Sequence, residues 1–162
     1  MKTFKAIAAI DLDNGIGKDG DLLFKIRADM QHFVKMTGTD PVIMRSGTYK
    51  SFGSLPLPRR DNYVITRDKN FDGNGATIVS SLEEAIELIS ENQTAWIIGG
   101  AGLYKEALSI VSELHITQIF DKKEADTFFP QFDHVFEFVD SQEIVPAKDG
   151  NPSYQFQIWK RK

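Results

Sequence analysis

A chain of 162 residues with a net charge of −4 and no cysteine has the size of one globular domain. Hydrophobic residues make up 41% of it and charged residues 26%, a balance that excludes a disordered tail protein, a collagen-like repeat and a disulfide scaffold. The acidic net charge argues against general nucleic-acid binding. No apolar run in the sequence is long enough to cross a membrane. We therefore expect a single domain over residues 1–162, without nucleic-acid or membrane partners, in a reducing cytoplasm.

Hydrophobic periodicity predicts eight strands and four helices. Apolar runs predict strands at 3–10, 41–44, 62–66, 76–79, 94–100, 113–120, 134–145 and 152–160. Amphipathic or capped segments predict helices at 27–37, about 47–52, after Ser80 or Ser81, and at 101–108. The Asp- and Gly-rich segment 11–21 is predicted to be a flexible loop, and DTFFP at 126–130 a turn. Alternating strands and helices favour a parallel sheet with right-handed crossovers, which the last strands extend as an antiparallel hairpin.

The predicted helix at 27–37 places an acid beside an apolar face. Four side chains recur at helical spacing and are expected to face the core: Met30, Phe33, Val34 and Thr37. His32 is expected on the polar face. Asp29 lies in the first turn, where its charge favours the helix dipole. It also adjoins the apolar face, where burial would raise its pKa. Asp29 is thus either a structural residue of the first turn or a pocket acid.

The segment WIIGGAGLY at 96–104 joins a strand to a helix through glycines. Gly100 and Gly102 match two positions of a dinucleotide-binding fingerprint, but Lys105 occupies the third. Glycines here let a ligand approach the backbone, and a following helix favours a phosphate. A tight connecting turn explains the same residues, so this segment alone predicts no cofactor.

Five of the six arginines lie between residues 27 and 67, at positions 27, 45, 59, 60 and 67. This window holds seven cationic and three acidic side chains, so it carries +4 while the rest of the chain carries −8. The planar guanidinium suits carboxylates and phosphates. The window therefore indicates either a site for a small anion or an ordinary solvated surface. The three histidines have no metal-ligand spacing, so we expect no metal.

Together and in order, these segments resemble the dihydrofolate reductase family. The matching segments are IAAIDLDNGIGKDGDL at 7–22, ADMQHF at 28–33, PVIM at 41–44, Thr48, LPLPRRDNYVITRD at 55–68, IIGGAGLY at 97–104, LHIT at 114–117 and DTFFP at 126–130. The resemblance implies an α/β fold with an eight-stranded mixed sheet and about four helices. It implies NADPH-dependent reduction of 7,8-dihydrofolate to 5,6,7,8-tetrahydrofolate in one-carbon metabolism. It further implies a monomer whose partners are dihydrofolate and antifolates.

The resemblance also implies roles for particular residues. The catalytic group is Asp29, Leu22, Phe24 and Thr117, with Asp29 orienting the pterin and Thr117 supporting Asp29. The substrate-binding residues are Ile7, Asp29, Phe33, Leu57, Arg60 and Thr117, with Arg60 on the glutamate α-carboxylate. The cofactor-binding residues are Ala9, Ile16, Gly17, Gly20, Arg45, Ser46, Gly47, Thr48, Thr66, Arg67, Gly99, Gly100, Ala101, Gly102, Leu103 and Tyr104. Among them Arg67 is expected on the 2′-phosphate, and the loop at 11–23 is expected to close over the nicotinamide.

The chain departs from the family pattern in three places, one of which is Arg27, where the family usually has a proline. Leu23-Phe24 stands where the family usually has Pro-Trp, and Arg45-Ser46-Gly47-Thr48 stands where it has Gly-Arg-x-Thr. These departures motivate one alternative, a non-catalytic or structural module that keeps the reductase fold. A second alternative is a riboflavin-pathway reductase of the same fold. Asp29 and Arg60 argue against the second, because a ribose substrate has neither pterin donors nor a glutamate carboxylate.

Overall fold

An eight-stranded mixed sheet runs through the molecule, and a small three-stranded sheet lies beside it. The structure is a computed structural model that describes residues 1–162. The helices are α1 (Arg27–Thr37), α2 (Ser46–Ser51), α3 (Leu82–Leu88) and α4 (Ala101–Ala107). The strands are β1 (Thr3–Ile10), β2 (Gly15–Lys18), β3 (Asp21–Leu22), β4 (Val42–Arg45), β5 (Asn62–Ile65), β6 (Thr77–Val79), β7 (Thr94–Gly99), β8 (Glu113–Ile119), β9 (Thr127–Phe128), β10 (Phe136–Ser141) and β11 (Tyr154–Arg161).

The large sheet has the strand order β10-β11-β8-β1-β7-β4-β5-β6. The six strands from β8 to β6 are mutually parallel, whereas β11 runs antiparallel to β8 and to β10. Its members are the eight strands that the periodicity predicts, and their order confirms the mostly parallel sheet with an antiparallel C-terminal hairpin. No helix is long and apolar enough to span a membrane.

Side chains of the central strands alternate between two cores. Ile43 and Ile97 belong to the larger core, which includes side chains of α3 and α4. Val42 and Ile98 belong to the smaller core, which includes Tyr49 of α2 and contacts α1. This alternation follows from the period of two along a strand. Helices therefore cover both faces of the sheet, as expected for short, continuously apolar parallel strands.

The direction of the crossovers changes between β1 and β7. The chain leaves β1 through α1 and returns in β4, beyond β7, whereas it leaves β7 through α4 and returns in β8, beyond β1. Such a switch point opens a crevice at the carboxyl ends of the strands. The ends of β4 and β7 meet there, with Met44 opposite Gly99.

The prediction of a flexible loop at 11–21 is wrong. Residues Gly15–Lys18 form β2, which pairs with β3 on one side and with β9 on the other. The predicted turn at 126–130 likewise contains β9. β2 and β9 lie more than a hundred residues apart in the chain, so local glycine content could not reveal their pairing.

The predicted face of α1 and the second-last strand also need correction. Thr37 is buried, but Val34 is 56% exposed, and Met30, which borders the open crevice, is 43% exposed. His32, predicted to point to solvent, stacks on Phe156 with ring centroids 3.8 Å apart. The strand predicted at 134–145 ends at Ser141, after a register shift that follows Phe138.

Candidate active site

A cavity of about 750 Å³ opens at the switch point of the sheet. It lies between α1, the ends of β1, β4 and β7, and the loop that carries β2 and β3. The predicted site residues that line it are Ile7, Ala9, Ile16, Gly17, Gly20, Leu22, Asp29, Phe33, Arg45, Ser46, Gly47, Thr48, Gly99, Gly100, Ala101, Gly102 and Tyr104. Most of the residues selected from the sequence are thus brought together in one place.

Asp29 is the acid in this cavity. Its Oδ1 accepts a hydrogen bond of 2.6 Å from the Thr117 hydroxyl. Burial raises the pKa of Asp29, and the Thr117 hydrogen bond opposes that rise. Thr117 is buried and does not itself line the cavity. It therefore acts on the cavity through Asp29, leaving the second carboxylate oxygen free toward the cavity.

Tyr104 lines the cavity, although the residue is almost fully buried. Its hydroxyl donates a 2.7 Å hydrogen bond to the backbone carbonyl of Ile7. Burial first, and then the charge of Asp29, raise the pKa of Tyr104. Tyr104 is therefore a neutral donor that ties α4 to β1 beside the acid.

Glycine is required where β7 turns into α4. Gly99 has a φ of 135°, and a Cβ atom there would lie 2.9 Å from Thr48 Oγ1. A side chain at Gly99 would therefore be strained and would collide with α2. The Gly99–Gly100 peptide bond is cis. Backbone atoms consequently form the wall of the cavity here, where a ligand can approach them closely.

The loop over the cavity is fixed at its base by Asp11. This buried carboxylate accepts hydrogen bonds from the backbone amides of Asp13, Gly15 and Lys123, at 2.9, 2.7 and 3.2 Å. At its far end, Asp126 accepts from the amide of Asp19 at 2.9 Å. Asp11 and Asp126 were not selected from the sequence, because a carboxylate in an Asp-rich segment resembles a turn residue.

Gly17 packs tightly between the neighbouring strands of this loop. A Cβ atom at Gly17 would lie 2.7 Å from Thr127 Oγ1 and 2.9 Å from the Asp21 carbonyl oxygen. The small sheet therefore requires glycine at this position. Thr127 also lines the cavity, although it lies in the segment predicted to be a turn.

Arg60 lies beside the cavity, on the loop before β5. Its Nη1 donates a 2.6 Å hydrogen bond to Thr37 Oγ1, and its Nε donates to the Pro58 carbonyl at 3.2 Å. The buried Asn62 fixes this loop through hydrogen bonds to both backbone groups of Leu57 and to the Arg60 carbonyl. The guanidinium is therefore held in place with its other nitrogen free.

Arg67 and Thr66 lie at a second, smaller cavity of about 430 Å³. Lys69 and Ser80 also line it. Arg45 lines the large cavity instead, where its Nη2 donates to Glu106 Oε2 at 2.9 Å. The arginine-rich window of the sequence is thus divided among separate places in the fold.

In addition to Thr117, four predicted site residues lie outside the two cavities, namely Leu57, Arg60, Leu103 and Phe24. Leu57 packs against the smaller core, Arg60 lies on the neighbouring loop, and Leu103 is fully buried in the larger core. Phe24 is buried, and the Lys123 ammonium lies over the Phe24 ring, 4.4 Å from the ring centroid. Phe24 thus has no contact surface in the cavity. Residues that line the cavity but were not selected are Ala8, Asp21, Lys25, Met30, Ser51, Phe52, Ile98 and Thr127.

The large cavity combines the partly buried acid Asp29 with a wall of backbone atoms at Gly99 and Gly100, which we name the glycine cradle. No group of three or more His, Cys, Asp or Glu side chains is placed to hold a metal ion. The arrangement suits a flat heterocycle with adjacent N–H donors at Asp29 and a phosphate-bearing ligand near Gly99.

Comparisons with known proteins agree with this arrangement. The family model described as "Dihydrofolate reductase" matches residues 3–161. Dihydrofolate reductase of Bacillus subtilis is 34% identical over 157 residues, which cover 96% of this chain and 93% of that protein. Dihydrofolate reductase of Haemophilus influenzae is 38% identical over 129 residues, covering 80% of this chain and 79% of that protein. A solved structure of dihydrofolate reductase from Enterococcus faecalis, complexed with NADP(H) and RAB-propyl, superimposes with a TM-score of 0.90 at 27% identity and covers 98% of this chain and 96% of its own. The chain belongs to the dihydrofolate reductase family.

Proposed function

We propose that this protein reduces 7,8-dihydrofolate to 5,6,7,8-tetrahydrofolate with NADPH. The observation that carries the proposal is the Asp29 carboxylate, partly buried and hydrogen-bonded to Thr117, in the same cavity as the glycine cradle at Gly99. The family membership gives the reaction, and the cavity contains a place for each of its two reactants.

Asp29 is proposed to orient the pterin ring. A carboxylate has about four acceptor positions on its two oxygens, and Thr117 takes one of them. Two adjacent N–H donors of the ring can therefore bind to Asp29 through charge-assisted hydrogen bonds. The same charge stabilises the cationic ring that forms during reduction. Because Asp29 holds this side of the ring, the proton for the reacting nitrogen is proposed to come from water.

The walls of the cavity supply the apolar contacts of the substrate. Ile7 and Phe33 are proposed to contact the pterin ring, and Leu57 the benzoyl ring. Arg60 is proposed to bind the α-carboxylate of the glutamate tail with its free guanidinium nitrogen. Its hydrogen bond to Thr37 supports this role, because it fixes the guanidinium before the substrate arrives.

The residues of the cradle fit a dinucleotide. NADPH, when bound, supplies the hydride. Gly99 and Gly100 present backbone atoms with no side chain between them and the cavity, and Thr48 adds a hydroxyl 2.9 Å from where a Gly99 Cβ would lie. Ala9 and Ile16 are proposed to flank the nicotinamide end. Other proposed contacts are Gly17, Gly20, Arg45, Ser46, Gly47, Ala101, Gly102 and Tyr104. Arg67 and Thr66, at the second cavity, are proposed to bind the 2′-phosphate.

The loop that carries β2 and β3 is proposed to exclude water from the reacting rings. Its hydrogen bonds to Asp11 and Asp126 hold it over the cavity. Leu22, at the end of β3, lines the cavity with an apolar side chain. A dry cavity strengthens the interaction between Asp29 and the pterin cation.

The protein is further proposed to act as a cytoplasmic monomer. The resemblance to the family, which covers residues 3–161, supports this proposal. Sedimentation at the concentration of the activity assay tests this, and a dimer would contradict it.

The decisive experiment follows NADPH absorbance in the presence and absence of dihydrofolate, with Asp29→Asn as the matched variant. We expect dihydrofolate-dependent oxidation of NADPH by the natural protein. The variant should lose about a thousandfold or more of kcat/KM, since a charge-assisted contact to the reacting ring is removed. Oxidation with NADH is measured in parallel to give the cofactor preference.

The two alternatives considered for the sequence make different predictions. A non-catalytic module would bind both ligands without turnover, and a riboflavin-pathway reductase would bind no antifolate. The named relatives do not favour either. Absence of dihydrofolate-dependent turnover in a folded, NADPH-binding protein would overturn the proposed function.

A further inference from the structure

The Arg45–Glu106 pair bridges two elements at the rim of the large cavity. Arg45 is the last residue of β4, and Glu106 lies in α4. Arg45 Nη2 donates to Glu106 Oε2 at 2.9 Å, and both side chains are only partly exposed, at 46% and 39%. Since long side chains lose rotamer freedom in such a contact, an isolated surface pair contributes little to stability. The Arg45–Glu106 contact therefore contributes little to the stability of the fold.

Gly102 leaves the space that the Arg45 side chain occupies. A Cβ atom at Gly102 would lie 3.8 Å from Arg45 Nε, and nothing else approaches that position within 4 Å. Arg45 thus extends from β4 across the first turn of α4, over a residue that has no side chain. Both residues line the large cavity together with Gly99 and Gly100. The Arg45 guanidinium consequently lies at the edge of the glycine cradle.

We propose that Glu106 is a positioning residue that holds the Arg45 guanidinium across Gly102, so that Arg45 contacts the diphosphate bridge of the cofactor. The proposal rests on the proposed function for the identity of the ligand. It adds a residue, Glu106, that does not line either cavity. It also assigns Arg45 to one particular phosphate group.

The two cavities separate the diphosphate bridge from the 2′-phosphate. Arg67 lines the small cavity with Lys69 and Ser80, whereas Arg45 lines the large one with the glycines. A guanidinium at the glycine cradle would contact the diphosphate bridge, which NADPH and NADH share. A guanidinium at the small cavity meets the group that only NADPH carries. Arg45 and Arg67 should therefore respond differently when the two cofactors are exchanged.

The first experiment measures the dissociation constants of NADP⁺ and NAD⁺ by titration calorimetry. Arg45→Met should weaken binding of both by about tenfold, the loss of one charge-assisted hydrogen bond. Arg67→Met should weaken NADP⁺ alone. An Arg45→Met variant that binds both dinucleotides normally, or loses only NADP⁺, would overturn the assignment to the diphosphate.

The second experiment tests Glu106 as a positioning residue. Glu106→Gln should weaken both dinucleotides by about threefold, the scale of an exposed ion pair. The change should disappear in the Arg45→Met background, because Glu106 acts only through Arg45. Glu91→Gln is the matched control: it removes the same charge from an exposed pair with the N-terminus, outside both cavities. Tighter binding in Glu106→Gln would overturn the proposal, since the carboxylate would then only repel the phosphates.

The third experiment moves the arginine to the opposite element. Arg45→Ala/Gly102→Arg places a guanidinium in the same space from α4, and we expect it to recover part of the affinity lost in Arg45→Ala. No recovery in a folded double variant would contradict the shared position. These are binding measurements, so they remain informative if turnover of dihydrofolate, and with it the proposed function, fails.

Discussion

Thr117, on β8, donates a 2.6 Å hydrogen bond to the carboxylate of Asp29, on α1. The two residues are 88 positions apart in the chain. The contact opposes the effect of burial on the pKa of Asp29, and it is the one side-chain hydrogen bond that the structure gives this acid. Burial raises the pKa of Asp29, and a residue on the central sheet opposes that rise.

Replacing Thr117 by valine should raise the pKa of Asp29 further. Valine fills nearly the same volume but donates no hydrogen bond, so the charged carboxylate loses its support. We expect kcat/KM for dihydrofolate to fall about tenfold. The pH below which a diaminopyrimidine antifolate loses affinity should move upward, because that ligand needs the ionised acid. Thr39→Val, at an exposed position outside both cavities, is the control. An unchanged pH profile would show that Thr117 does not act on Asp29.

Asp29→Asn should stabilise the unliganded protein while it removes activity. The raised pKa means that the folded protein binds a proton at Asp29 more readily than the unfolded chain. The contribution of Asp29 to stability is therefore fully present below the unfolded pKa of about 3.9 and is lost as the pH rises through the folded pKa. At pH 7 the variant should gain on the order of 1 kcal/mol in the free energy of unfolding. Urea denaturation at several pH values measures this, and a gain that does not shrink toward acid pH would contradict the explanation.

Arg60→Lys should weaken the substrate and leave the cofactor unaffected. Lysine keeps the charge but cannot hold Thr37 and a carboxylate with one planar group. We expect the KM for dihydrofolate to rise about tenfold with the KM for NADPH unchanged. Dihydropteroate, which lacks the glutamate, supplies the matched substrate: its KM should not respond to the substitution. An equal effect on both substrates would remove the assignment of Arg60 to the glutamate tail.

Gly17→Ala should open the loop over the cavity. The added methyl group would lie 2.9 Å from the Asp21 carbonyl oxygen, which is backbone and cannot rotate away. We expect a fall in kcat of about tenfold or more and faster proteolysis between residues 15 and 22. Adding Thr127→Ala removes the side-chain clash only, so it should not restore activity. Full recovery in the double variant would show that Thr127, and not the strand β3, imposes the glycine.

Arg59→Gly should stabilise the protein without changing its kinetics. Arg59 has a φ of 65°, in the left-handed region, and its side chain is exposed. Glycine removes a conformational cost of about 1–2 kcal/mol but makes the unfolded chain more flexible, so the net gain should be about 0.5–1 kcal/mol. Thermal denaturation measures the gain. A higher KM for dihydrofolate would instead assign Arg59 to the substrate.

Local patterns were sufficient for the elements of the large sheet. Its six parallel strands are short apolar runs, and burial between two helical layers requires little more than that. β11 is indicated instead by the alternation of apolar and polar side chains. For the strands, the relevant neighbours lie within a few residues along the chain. Helical spacing places Asp29 beside Phe33, but the family resemblance was needed to choose a pocket acid over a structural residue. Gly99 was likewise selected through the resemblance, because a tight turn alone explains a strand that ends in glycines.

The resemblance to the family supplied roles for residues, but several side chains needed the fold to be located. Leu103 is in the core, although it belongs to a segment that resembles the family, and Phe24, at a departure from the family pattern, is covered by Lys123. The sequence pattern predicts Asn62 only as the first residue of a strand. In the structure, the side-chain amide of Asn62 fixes the loop that carries Arg60. Nothing in the spacing of these residues distinguishes a side chain that points into a cavity from one that points away.

The sequence by itself therefore determined the helices and the strands of the large sheet in chain order, because these depend on periodicity over a few residues, and the family resemblance selected the acid of the cavity. Only the tertiary structure decided that Gly15–Lys18 and Asp21–Leu22 form strands, because β2 pairs with β9 across more than a hundred residues. It also divided the arginine-rich window, placing Arg45 against Glu106, Arg60 against Thr37 and Arg67 at a separate cavity. The net charge of a sequence window counts residues that are neighbours in the chain. The binding of an anion depends instead on which cationic side chains line the same cavity.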